Sequence, residues 1–417
     1  MLGANGSAPA RAARALCPVL PVLEDGAGVV GWGGRTTPEM AAFANGVLVR
    51  YLDYNDTYLS KEPAHPSDNI PAALAAAEAG GKSGRELIAA VAAAYEVQCR
   101  LCDAATLRGR GWDHVTWGSF SSTLAASMLL GLSVEETVHA LGIAGVSSPA
   151  LRQTRAGELS MWKGCAFAHA AMNAVFAARL AKNGVTGPAP VFEGEFGVFN
   201  LVSGPFTLER FASSREDRFR ILDTCIKYYP AEYHAQSAIG AAIELAEEMG
   251  EEAEGIEAVT VRTFGAAVEI ISGPEKWRPA TRESADHSLP FCVAAALLDR
   301  NITLATFTER LFDPDILALV DRIRVVKDPE LDRLYPEAMP NRVEVTLGSG
   351  RFLSRESVYP KGHPKNPLTD EEVEEKFRAL GSWFLPGRRL ERALGALWRL
   401  DEADDVREVM GLFERGA

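Results

Sequence analysis

Residues 51–69, YLDYNDTYLSKEPAHPSDN, crowd acids, amides, tyrosines and a histidine into a loop broken by Pro63 and Pro66, directly after what reads as a helix end. His65 lies in that loop, and three more of the seven histidines sit beside Gly, Pro or aromatic residues: His114 in GWDHVTWG, His234 in AEYHAQS and His287 in SADHSLP. Loops and element ends are where working side chains tend to be placed. Any one of these imidazoles is accounted for by a hydrogen bond that fixes a turn. Several in one cleft would suit acid–base chemistry, because histidine titrates near neutral pH and moves a proton in either direction. Lys163, in SMWKGCAFA, adds a cation with no acidic neighbour; it reads either as a partly desolvated site lysine or as a surface lysine lying along apolar neighbours. His139 and His169 fall inside helical patterns and read as packing positions, and His363, in KGHPKNP, is a loop residue of either kind.

Other chemistries find little support. Asp53, Asp56 and His65 do not have the spacing of a helical H-E-x-x-H or a regular zinc site, so no metal is expected. The six cysteines are scattered, and the single C-x-x-C, Cys99 and Cys102 in EVQCRLC, continues a helical pattern rather than a cluster-binding one. Neither a Walker P-loop nor a strand-flanked G-x-G-x-x-G is present, nor a G-x-S-x-G nucleophile elbow. A formal charge of −13 excludes a basic nucleic-acid-binding face. With no apolar run long enough to span a bilayer and no continuous signal-peptide core, the sequence reads as a cytoplasmic protein with no membrane partner.

The elements that would position these groups change character along the 417 residues. From about residue 37 to 222 the pattern is helical and rich in alanine. Ser83–Glu86 (SGRE) and Ser133–Glu136 (SVEE) fit the capping box ahead of apolar runs at helical spacing, SFSSTLAASMLLGL supplies small residues for close packing, and a longer helix is expected from Met161 to Asn183, ending at Gly184. After the helical AQSAIGAAIELAEEMG, IEAVTVRTF and RIRVVKD read as strands, and RVEVTLGSGRFLSRESVY as a hairpin around GSG. Past KGHPKNP, TDEE is a third capping box, and EVEEKFRALGSWF and RRLERALGAL are amphipathic helices. The expected fold is mainly α with a smaller α+β lid: a helical domain over 1–222, an α/β domain over 223–363, and a helical return to the first domain over 364–417.

LDYNDTYLSKEPAHPSDN, the His114 segment followed by AASMLLGLS, TRAGELSMWKGCAFAHAAMNAVFAARLAKNGVTGP, KYYPAEYHAQS, RESADHSLPF, and YPKGHPKNP followed by EEKF run in this order along nearly the whole chain. Together they resemble the MmgE/PrpD family, which includes 2-methylcitrate dehydratases, cis-aconitate decarboxylases and an iminodisuccinate epimerase. The resemblance implies a cofactor-independent carbon–oxygen lyase of propionate metabolism, acting on 2-methylcitrate or a related di- or tricarboxylate. Its chemistry would be proton abstraction alpha to a carboxylate, with decarboxylation, epimerisation or a catalytically silent binding role as alternatives on the same scaffold.

Carried over by motif, Asp53, His65, His114, Lys163 and His234 are the implied catalytic residues. Asp53 would orient or tune a histidine, Lys163 would bind a carboxylate or stabilise developing charge, and the histidines would divide base and acid roles. Lys227 and His287 are implied substrate contacts. The resemblance further implies a pocket at the junction of the two domains and a homodimer through the helical one. It places the start of this chain inside the family's pattern, with roughly 40 residues of N-terminal helix absent. The Asp53-to-His65 loop is slightly longer than in the decarboxylase branch.

Overall fold

The computed structural model describes residues 1–18, 25–156, 159–208 and 218–414. It separates into two compact units, one made of Met1–Thr224 with Thr369–Ala417 and the other of Cys225–Leu368. No helix among the described residues is long and apolar enough to cross a membrane.

The first unit is built from α1 (Ala8–Ala15), α2 (Pro38–Arg50), α3 (Ile70–Ala79), α4 (Gly84–Ala104), α5 (Val115–Leu130), α6 (Val134–Ser147) and α7 (Ala166–Lys182). The starts of α4 and α6 are set where the capping boxes predict: Ser83 and Ser133 accept from the backbone of Glu86 and Glu136, whose carboxylates reach back to the cap backbone. α2 begins in a related way, with Thr37 as cap and Pro38 in the first turn. Small residues let these helices approach closely. A side chain on Gly46 would place its Cβ 2.7 Å from the Cα of Ala168, and one on Gly118 would place it 2.2 Å from the Phe167 ring, so glycine is required at both positions. These approaches pin the first turn of α7 against α2 and α5, around a core that includes Val47, Val115, Ala125, Phe167 and Ala171.

The helix expected from Met161 starts later. Met161–Gly164 is a 3₁₀ turn and α7 proper begins at Ala166, ending as expected before Gly184 with its left-handed φ of 89°. The tighter turn runs against the end of α2, where a Cβ on Gly164 would lie 3.2 Å from the Cα of Tyr51. The chain comes back to this unit with helices Asp370–Gly381, Gly387–Trp398 and Val406–Gly411. The return is hydrogen-bonded: Gly84 N donates to Ala403 O at 2.8 Å and Val406 N to Lys82 O at 2.9 Å.

The second unit opens with α8 (Gln236–Met249) and carries a four-stranded sheet of β1 (Ile256–Thr263), β2 (Ile323–Lys327), β3 (Asn341–Leu347) and β4 (Phe352–Ser357), in the order β2-β1-β3-β4. β1 and β2 pair in parallel, which requires a helical crossover between them, and β3 and β4 form the hairpin signalled by GSG, with Gly350 at φ 85°. Alternation along β3 buries Val343 and Val345, the inward face that a half-exposed strand presents. The architecture is therefore mainly α with a small α/β portion, as the sequence pattern predicts.

Candidate active site

α2 ends at Arg50, and three residues later the backbone reverses through Asp53, a non-glycine residue held at φ 51°. Left-handed backbone at a residue with a Cβ is strained and recurs at functional sites. The reversal folds the Asp53 carboxylate back onto the buried Arg50 guanidinium, which bonds one of its oxygens, while the other takes Nζ of Lys163 at 3.2 Å. Arg50 Nη2 also lies 2.9 Å from His65 Nε2. A guanidinium only donates, so Nε2 of His65 accepts and the ring proton sits on Nδ1, which donates to the Asp56 carbonyl at 2.7 Å. Both nitrogens of His65 are thus engaged within the protein. The loop is closed by the Asp56 carboxylate, which accepts from Ser67 N at 3.1 Å and from Ser67 Oγ at 2.6 Å. Next to Arg50, burial outweighs the guanidinium and, with Asp56 adding, pushes the Asp68 carboxyl up to about 8.

His114 directly precedes α5, without a side-chain capping bond, its ring edge-on to that of His65 with centroids 5.6 Å apart. Asp113 Oδ2 accepts from Arg155 Nε at 2.7 Å, and its Oδ1 accepts from Val115 N at 3.1 Å and lies 3.5 Å from His114 Nε2. Burial pushes the imidazolium of His114 down; Asp113 opposes this but Arg155, Arg50 and Arg108 add to it, leaving the ring at about 3 and neutral at physiological pH. Asp113 is held low because His114 and Arg155 together outweigh its burial. Among the described residues, His114 Nδ1 and Arg155 Nη2 are buried with no hydrogen-bond partner. The structure thus brings Asp53, His65, His114 and Lys163 into one connected cluster within the first unit.

Lys227, His234 and His287 lie in the second unit and are all buried. Glu232 accepts from the backbone N of His234 and meets its Nδ1, both at 2.7 Å, while the Glu232 backbone N donates to Asp286 O at 2.8 Å. The next residue, His287, presents Nδ1 to the Asp286 carboxylate, which Arg282 also approaches at 3.3 Å. Burial alone would raise the Glu232 carboxyl, but His234, His287 and Lys227 outweigh it and hold it at about 2. The His234 ring lies 5.4 Å from that of Phe264 and 5.9 Å from that of Tyr335, and its Nε2 has no partner among the described residues. Among those residues no three His, Cys, Asp or Glu side chains are grouped as metal ligands.

Sequence reasoning passed over Arg50, Asp113, Arg155, Glu232 and Asp286. Asp113, Glu232 and Asp286 stand within two residues of a flagged histidine, and that adjacency was the available signal; Arg50 stands three before Asp53 at a helix end. Arg155 stands in the TRAGELSMWKG segment, but nothing there singles it out from its neighbours. Residues 157 and 158, inside the TRAGELSMWKG stretch, lie outside the described residues.

Residues 1–210 match the MmgE/PrpD N-terminal domain and residues 229–400 the MmgE/PrpD C-terminal domain. The chain belongs to the MmgE/PrpD family. It is 33% identical to a 2-methylcitrate dehydratase of Cupriavidus necator over 94% of this chain and 84% of that one. It is 32% identical to the 2-methylcitrate dehydratase of Escherichia coli K12 over 91% and 83%. A cis-aconitate decarboxylase-like protein of Aspergillus oryzae is 27% identical over 92% and 84%.

Proposed function

We propose that this protein is a hydro-lyase that dehydrates 2-methylcitrate or a related tricarboxylate by removing a proton alpha to a carboxylate. The observation that carries the reading is the pairing of a neutral, buried His114 whose Nδ1 is open with a set of cations, Arg50, Arg108 and Arg155, that already act on that ring. An imidazole in that state is a general base whose proton affinity is lowered first by burial and further by those cations. A polyanion bound against the same cations offsets their field and raises it toward the range in which a base is effective.

In the proposed reaction His114 Nδ1 takes the proton, the C–H electrons form the C=C bond, and the C–O bond breaks as hydroxide leaves with a proton, as water. Lys163, oriented by Asp53, stabilises the negative charge that develops on the substrate carboxylate. His65, with both nitrogens bonded, holds Arg50 and the loop rather than carrying the proton. From the second unit the family motif carries over His234, beside the ionised Glu232, as the acid for the departing hydroxyl, with Lys227 and His287 as substrate contacts. The names of the relatives support 2-methylcitrate over cis-aconitate, since those named 2-methylcitrate dehydratase are more similar to this chain than the decarboxylase-like one.

A cytoplasmic homodimer through the helical unit belongs to the same reading. The exposed Met161, Trp162 and Phe176 on and just before α7 support it, since apolar side chains of this size gather where a second copy covers them. Product analysis tests the reaction. Metal-free protein given 2-methylcitrate, citrate and cis-aconitate separately is expected to form alkene from 2-methylcitrate without carbon dioxide. Carbon dioxide from cis-aconitate would make it a decarboxylase instead, and no turnover of any of the three would remove the dehydratase reading.

A further inference from the structure

We propose that Arg155 is a specificity-determining residue, whose Nη2 binds a carboxylate of the substrate and so presents the neighbouring C–H to His114. The inference deepens the function proposed above and rests on its polycarboxylate substrate. Nothing about Arg155 is assigned by motif, and the argument comes from the way its donors are distributed. The side chain is 14% exposed, with Nε committed to Asp113 Oδ2 at 2.7 Å. Nη2 is buried and meets no acceptor among the described residues. A buried guanidinium nitrogen is seldom left in that condition, because it gives up water without gaining a partner. A ligand oxygen would supply the missing acceptor.

A second observation points the same way. His114 Nδ1 is likewise buried without a partner among the described residues, and His114 shares the Asp113 carboxylate with Arg155. One carboxylate therefore orients both an imidazole and a guanidinium, each of which keeps an open nitrogen. A donor for a carboxylate and an acceptor for a proton are the two functions needed to remove a hydrogen alpha to that carboxylate. The local charge fits an anion as well. Arg152, on the same 3₁₀ turn, has its proton affinity lowered first by burial and then by Arg108, with Glu62 and Asp113 only partly offsetting this. A planar guanidinium held through Nε presents Nη2 at a fixed angle, which an ammonium cannot reproduce.

The test uses tricarballylate, a tricarboxylate without a hydroxyl group, which binds without being dehydrated. Its affinity is measured by calorimetry for the full-length wild type, Arg155→Lys and Arg155→Gln, next to steady-state alkene formation from 2-methylcitrate. Loss of a charge-assisted hydrogen bond predicts an affinity weaker by at least about tenfold in both variants. In Arg155→Lys, which keeps a positive charge opposite Asp113, KM rises by a similar factor and kcat changes by less than about threefold. Tricarballylate bound as tightly by either cooperatively melting variant as by the wild type would overturn the proposal. So would a kcat loss with KM and affinity unchanged, which would mean that Arg155 acts only through Asp113. Failure of the wild type to turn over 2-methylcitrate, with tricarballylate binding still lost in the variants, would remove the dehydratase reading and leave the Arg155 assignment standing.

Discussion

The two histidine clusters are wired differently. In the second unit each histidine leans on a carboxylate within two residues of it in sequence, Glu232 for His234 and Asp286 for His287. In the first unit the wiring is long-range and cationic. Lys163 reaches Asp53 across 110 residues, Arg155 reaches Asp113 across 42, and Arg50 joins the Asp53 and His65 ends of the loop. The chemical consequence follows from sign. In the first unit burial, with Arg155, Arg50 and Arg108 adding to it, empties His114 of its proton, whereas in the second unit His234, His287 and Lys227 outweigh burial and hold the Glu232 carboxylate ionised.

The comparison breaks most visibly if the base is removed. His114→Gln is expected to lower the rate of alkene formation by about 10³-fold while the protein keeps its melting transition; a loss of less than about tenfold would move the base elsewhere. Removing the cation at the centre of the first cluster acts on stability instead. Arg50→Met takes away the partner that Asp53 and Asp68 share and the donor to His65 Nε2, and urea unfolding is expected to show a loss of about 3–5 kcal/mol. Glu232→Gln, the matching change in the second cluster, is expected to cost about 10- to 100-fold in rate and little stability, because Gln keeps one acceptor for the His234 backbone.

A pH series sharpens the contrast with the smallest effect. His114 has its folded value depressed from 6.5 to about 3, so it contributes stability that is present above pH 6.5 and lost as the pH falls toward 3. Glu232, depressed from 4.5 to about 2, keeps its contribution until the pH drops below 4.5. Asp68, raised to about 8, carries the opposite sign in the first unit, so the informative quantity is the difference between wild type and His114→Gln. Hydrogen exchange between pH 6.5 and 4.5 should show that difference in the first unit and none in the second.

Much of the fold was legible because it is local. The three capping boxes at Ser83, Ser133 and Thr369 and the GSG hairpin each depend on residues a few positions apart, and all form as the spacing predicts. The displaced start of α7 was not legible, because what tightens Met161–Gly164 is its packing against Tyr51, far away in sequence. The site divides in the same way. Glu232 and Asp286 stood beside flagged histidines and were readable as their partners. The state of His114 was not, since it is set first by burial and then by Arg155 and Arg50, which reach the ring through the tertiary fold.

The claim most exposed to test is that His114, and not the doubly bonded His65 or the carboxylate-backed His234, removes the substrate proton. Mass spectrometry of 2-methylcitrate recovered at partial conversion from deuterium oxide addresses it directly, with wild type, His114→Gln and Glu232→Gln run in parallel. In Glu232→Gln, where loss of hydroxide is slowed, the account predicts uptake of one deuterium at the carbon that gives up the proton; in His114→Gln it predicts none. Deuterium entering the substrate in His114→Gln would contradict it.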